Sequence, residues 1–137
     1  MFRSIIFFAL LIIFQGCSGT MNSDAQVSLA GQWIVSAIDG KPVLENSPAY
    51  MEFSEDNRIS GNASCNRFFG KYTVSGSQMS IGEAGSTRMM CAGPLNEQEN
   101  RFLSTLSRVE SFAVDNGSLS LKDAAGNELI NAAKSAE

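Results

Sequence analysis

From Leu29 onward the apolar residues recur at alternate positions in short runs, and each run is closed by Gly, Asn, Asp or Ser. That two-residue period belongs to half-buried β-strands, whose side chains point to opposite faces in turn. Trp33, Val35 and Ala37 alternate with Ile34 and Ser36 before Asp39-Gly40 turns the chain, and Met51 and Phe53 flank Glu52. Glu55-Asp56-Asn57 leads into Arg58-Ile59-Ser60-Gly61. A longer strand follows, with Phe68, Gly70, Tyr72 and Val74 on one face and Phe69, Lys71 and Thr73 on the other. Ser75-Gly76-Ser77 precedes Met79 and Ile81, and Asn116-Gly117 joins Phe112-Ala113-Val114 to Leu119-Ser120-Leu121 as a hairpin. Gly126-Asn127 introduces a last strand around Glu128-Leu129-Ile130.

One segment breaks this rhythm. Phe102, Leu103, Leu106 and Val109 stand at helical spacing, which predicts a helix over Glu97–Ser107. Asn96 with Glu99 fits a capping box, and Glu97 to Arg101 fits an i,i+4 charge pair. Many antiparallel strands and one amphipathic helix predict a mainly β domain over residues 29–132: a small antiparallel β-barrel or a strongly curved sheet, covered on one side or end by the helix.

Composition narrows function by exclusion. Ten Lys and Arg stand against 14 Asp and Glu, a formal charge of −4, which disfavours nucleic acid as a partner. The chain contains no histidine, so Ser-His and Cys-His nucleophile pairs and imidazole zinc sites are absent. No Gly-rich phosphate loop, nucleophile elbow or calcium-loop spacing occurs, and neither a cofactor nor enzymatic activity is expected.

Before the domain lies an export signal. Met1-Phe2-Arg3 is followed by the unbroken apolar run Ile5–Phe14, too short for a stable membrane span but suited to a signal-peptide core. The run closes at Gln15-Gly16-Cys17-Ser18, which resembles the lipobox of bacterial lipoproteins, although Phe14 and Gln15 replace the preferred Leu and small residue. Residues 1–16 then form a signal peptide, Cys17 receives lipid, and residues 17–28 are a polar tether. The competing reading is ordinary cleavage near Gly19 or Ala25, with release of a soluble protein. With Ser18 after the cysteine, the resemblance implies sorting to the periplasmic face of the outer membrane.

Two motifs remain: Ile59-Ser60-Gly61-Asn62-Ala63-Ser64-Cys65-Asn66-Arg67-Phe68, and Ser86-Thr87-Arg88-Met89-Met90-Cys91-Ala92 followed by Asn96-Glu97-Gln98-Glu99-Asn100. In this order and spacing the chain resembles the META domain family over about Leu29 to Ile130. Ser64 departs from the pattern, since many members carry Gly there, the residue that reaches positive φ without cost. The resemblance implies a small barrel-like domain in the cell envelope, associated with heat-shock response and novobiocin tolerance. It implies no reaction and carries over no catalytic residue.

Cys65 and Cys91 are the cysteines left beside Cys17. In an oxidising compartment a structural disulfide is favoured over two independent buried thiols. Bridging would gather Asn66, Arg67, Thr87 and Arg88 into a candidate partner-binding rim; the plainer alternative is turn-stabilising hydrogen bonds and solvated charge. Met79, Met89 and Met90 read either as an adaptable apolar surface or as core. The functional expectation is a monomeric, non-enzymatic lipoprotein, held to the membrane at Cys17, that binds an envelope protein or a small hydrophobic molecule. The alternative is a small periplasmic inhibitor of a secreted enzyme such as lysozyme, favoured electrostatically by an acidic domain.

Overall fold

The computed structural model describes residues 29–136, so the expected signal peptide over residues 1–16, Cys17 and the expected tether over residues 17–28 lie outside the described residues. The strands are β1 (Gly31–Ile38), β2 (Lys41–Pro42), β3 (Tyr50–Phe53), β4 (Arg58–Asn62), β5 (Arg67–Ser75), β6 (Gln78–Ile81) and β7 (Gly85–Ser86). Helix α1 (Gly93–Leu106) precedes β8 (Ser111–Asp115), β9 (Ser118–Lys122) and β10 (Glu128–Lys134).

The antiparallel order β1-β3-β4-β5-β6-β8-β9-β10 returns to β1, and eight strands close into a barrel. Of the two architectures that the alternation allowed, the closed one forms. Closure rests on β1, which bonds β3 on one side and β10 on the other. A bulge at Ser36 shifts the register from Val35↔Ala132 to Ala37↔Asn131. Trp33 and Val35 therefore face inward, but beyond the extra residue Ile38 takes the buried position that strict alternation assigns to Ala37. The thinnest seam joins β6 to β8 through the pair Gln78↔Ser111, extended by Met79 N–H to Glu110 O and Phe112 N–H to Ser77 O. At Asn116-Gly117 both residues have positive φ, 46° and 76°, the paired twist of a type I′ hairpin.

Aromatic rings fill the interior. Phe53 meets Tyr72 edge to face with centroids 5.1 Å apart, and Phe68 meets Phe102 at the same separation. The Tyr72 hydroxyl donates to Ser54 O at 2.9 Å, satisfying its polar end. Phe102 and Leu106 of α1, with Val109 just beyond it, close one end of the barrel over this core.

The helix starts earlier than its sequence signals suggest. Ala92 is the N-cap and Pro94 occupies the first turn, where its missing N–H costs no hydrogen bond. Asn96 is thus inside the helix, and no capping box forms. Nor does an ion pair join Glu97 to Arg101 among the described residues. Arg101 is half-buried, and its Nε is enclosed without a hydrogen-bond partner.

Gly61 marks the tightest approach in the wall, opposite Met51 on β3 and Phe68 on β5. A Cβ there would lie 2.1 Å from Tyr50 O, a backbone atom, and 3.0 Å from the Phe68 ring. Because backbone cannot swing aside as a side chain can, Gly61→Ala should cost about 3 kcal/mol. The measurement is a lowered urea midpoint at unchanged slope; an unchanged midpoint would mean that the strands separate freely at this crossing.

Candidate functional site: a rim clasped by a disulfide

Between β4 and β5 the chain turns through residues 62–67 at the barrel end that α1 covers. Ala63 N–H donates to Asn66 O at 2.9 Å, and Ser64 N–H donates to the Asn62 carboxamide at 2.9 Å. Ser64 does not have positive φ, so Ser at this position imposes no left-handed strain. Its hydroxyl instead receives Gln98 Nε2 at 3.1 Å and lies 3.3 Å from Ser47 Oγ. Gln98 also donates to Ser47 at 2.7 Å and accepts Leu44 N–H at 2.8 Å. The first buried side chain of α1 thus ties two loops together.

Glu99, 5% exposed, does the same for the Cys-Asn turn. Its Oε2 accepts Cys65 N–H at 3.1 Å and Asn66 N–H at 2.6 Å, and its Oε1 accepts Asn66 Nδ2 at 2.8 Å. With three N–H donors on the carboxylate, its oxygens are committed to holding the turn. Asn66 is the hub of the site, 3% exposed. Its Nδ2 also donates to Met89 O at 3.1 Å, while its Oδ1 accepts Met89 N–H at 2.6 Å and the Thr87 hydroxyl at 3.0 Å. All four hydrogen-bonding positions of the amide are occupied.

Covalent and backbone links complete the clasp. Cys65 and Cys91 are disulfide-bonded with Cα atoms 6.1 Å apart. Arg67 N–H donates to Thr87 Oγ1 at 3.1 Å, and Thr87 N–H returns to Arg67 O at 3.0 Å. The structure therefore brings Asn66, Arg67, Thr87 and Arg88 together, with divided roles. Asn66 and Thr87 are spent on internal hydrogen bonds and hold the rim in place. Arg67 and Arg88 are exposed and enter no ion pair among the described residues. Met89 and Met90 are 61% and 99% exposed, whereas Met79 is core. Beside them a groove of about 430 Å³ runs to Asn96, Asn100 and Leu103 of α1.

Gln98 and Glu99 are the site residues that sequence reasoning missed. The signal was present: the apolar stripe of Phe102 and Leu106, continued back by one turn, reaches these two polar residues. A polar pair on the buried stripe of a helix has to find partners. Among the described residues no group of three or more His, Cys, Asp or Glu side chains could hold a metal ion, and no helix is long and apolar enough to cross a membrane.

These features define a helix-capped antiparallel β-barrel whose end is clasped by a disulfide and a buried carboxylate beneath an exposed basic and methionine-bearing rim. The META domain matches residues 25–136, and the chain belongs to the META domain family. The heat shock protein HslJ of Escherichia coli K12 is 38% identical over 71 residues, which is 50% of each chain, so this protein spans about half the length of that relative. A protein structure solved by NMR is 29% identical, covering 77% of this chain and 90% of its own, with a TM-score of 0.61. A second NMR structure, from Burkholderia xenovorans, has a TM-score of 0.67 at 22% identity, covers 96% of this chain and all of its own, and shows the shared fold.

Proposed function

We propose that the protein is an exported lipoprotein of the cell envelope, anchored at Cys17, that acts as a monomer without catalysis by binding an envelope protein at the rim. The observation that carries this reading is the rim itself: Met89, Met90, Arg67 and Arg88 are exposed on a segment fixed by the disulfide and by Asn66. A surface fixed before contact loses little conformational entropy on binding. Exposed methionines supply adaptable apolar contact, and the two arginines favour an acidic partner. Membership of the META family and similarity to a heat shock protein support a role in the response to heat, and the family resemblance extends the proposal to novobiocin tolerance. The apolar run Ile5–Phe14 before Cys17 supports lipidation, and Ser18 after the cysteine supports sorting to the periplasmic face of the outer membrane.

Cell fractionation tests the anchor and stress survival tests the rim. Cys17→Ser should move the protein from the membrane to the soluble fraction, and its persistence in the membrane would overturn lipidation. Deletion should abolish heat and novobiocin tolerance, and the double variant Arg67→Glu, Arg88→Glu should remain folded and membrane-bound yet lose it to the same extent. Full tolerance in that variant would overturn the rim as the binding surface. An assay of lysozyme inhibition separates this reading from that of a secreted-enzyme inhibitor.

A further inference from the structure

Adjoining the rim, the outer wall of the barrel carries a second, differently built surface. β5 exposes Arg67, Phe69 and Lys71, and the register places Arg58 of β4 directly opposite Lys71. Like charges facing one another across an antiparallel pair are destabilising, yet here they stand together in a chain of net charge −4. Arg58 is answered by Asp56, 3.0 Å from its Nε, in an exposed pair. A hydrogen bond from Ser54, and then the Arg58 charge, hold the Asp56 carboxyl below the usual range, so that pair stays ionised. Lys71 enters no ion pair among the described residues.

The edge of β5 beside these cations is divided. β6 pairs with Tyr72–Ser75 and β7 pairs with Phe68–Phe69. Where the chain passes from β6 to β7 it leaves a cleft of about 670 Å³, with Gly70 and Gly82 in its lining and Phe69, Arg58, Lys71 and Glu83 around them. Phe69 is 59% exposed. It lies against Gly85, where an added Cβ would come within 2.6 Å of the ring. Glycine at position 85 is therefore what lets the ring rest on β7 and leaves its remaining surface open.

We propose that this cleft binds a small planar monoanion, with a flat apolar ring stacked on Phe69 and a carboxylate or sulfonate held by Lys71 and Arg58. An aromatic platform supplies geometry and area, Lys71 supplies a charge that enters no ion pair among the described residues, and Arg58, shared with Asp56, stands beside it. Glu83 in the same lining disfavours a second negative charge, so polyanions are poor ligands. The site is distinct from the proposed protein contact at the rim and stands without it.

Fluorescence titration tests the assignment on the full chain carrying Cys17→Ser, which removes the expected acylation site. The probes are anilinonaphthalene sulfonate and its uncharged counterpart phenylnaphthylamine. The sulfonate should bind saturably and about tenfold more tightly than the amine. Lys71→Gln should weaken the sulfonate about tenfold and leave the amine unchanged. Phe69→Ala should weaken both, Phe69→Tyr should retain both, and Lys41→Gln, an exposed cation on β2, should alter neither. All of these positions are exposed, and unfolding midpoints confirm intact folding. No saturable binding, equal affinity for the two probes, or unchanged affinity in Phe69→Ala and Lys71→Gln would each overturn the site.

Discussion

Glu99→Ala should destabilise the protein by about 5 kcal/mol, because three buried donors lose their acceptor at once and each orphan costs about 1–3 kcal/mol. The donors are Cys65 N–H, Asn66 N–H and Asn66 Nδ2, at 3.1, 2.6 and 2.8 Å from the carboxylate. Glu99→Gln should cost less, about 2–3 kcal/mol, since one amide oxygen still accepts while the new NH₂ faces donors. Against a typical net stability of 5–15 kcal/mol, the alanine variant stands near the edge of folding. Glu97, two residues away and exposed, is the control, and its change to Ala should shift stability by less than about 0.5 kcal/mol. Urea unfolding measures all three variants. A loss below about 1 kcal/mol for Glu99→Ala would mean that water takes over the carboxylate's hydrogen bonds.

The spacing of Asn96 and Glu99 presents the residue with the largest effect as part of a helix cap, which shows what alternation and periodicity can and cannot reveal. Period two located the strands through side-chain burial, as in Phe68 and Tyr72 facing inward while Phe69 and Lys71 face out. It could not reveal closure, because the β1–β10 ladder joins residues about a hundred positions apart and leaves no local mark. The bulge at Ser36 is equally silent, since an inserted residue shifts the inward face without altering composition. For the helix, Phe102 and Leu106 fixed the buried face, but Asn96 and Glu99 imitate a start signal that Pro94 pre-empts. Glu99 was free to turn inward because the cap it would have served does not exist. The rim was legible as two flanking motifs, whereas the division of labour between Asn66 and Arg67 follows from burial, which sequence spacing does not encode.

Loss of the Cys65–Cys91 bond should cost about 3.5 kcal/mol, the chain-entropy value for a closed loop of this size. The two residues are separated by 26 positions, and the loop includes β5, β6 and β7 together with the rim segment. Opening it lets the unfolded chain expand and also loosens the folded turn, which Asn66 and Glu99 then hold by hydrogen bonds alone. Two measurements should agree: wild type unfolded in urea with and without reductant, and Cys65→Ala, Cys91→Ala unfolded without it. Agreement separates the bond from any packing effect of the substitution, and a loss below about 1 kcal/mol in both would show that the unfolded state gains little from its release. The bond and the carboxylate act on one turn, so their effects should not add. Cys65 supplies both a sulfur to the bridge and an N–H to Glu99, and groups in such contact couple by about 0.5–3 kcal/mol. With the turn already loosened by one change, the other has less order left to remove, and the combined loss should fall short of the sum of the two. Strict additivity would mean that the disulfide acts on the unfolded chain alone and the carboxylate on the folded turn alone. The rim would then owe its fixed position to Asn66 and Glu99, and reduction would leave Arg67 and Arg88 where they stand.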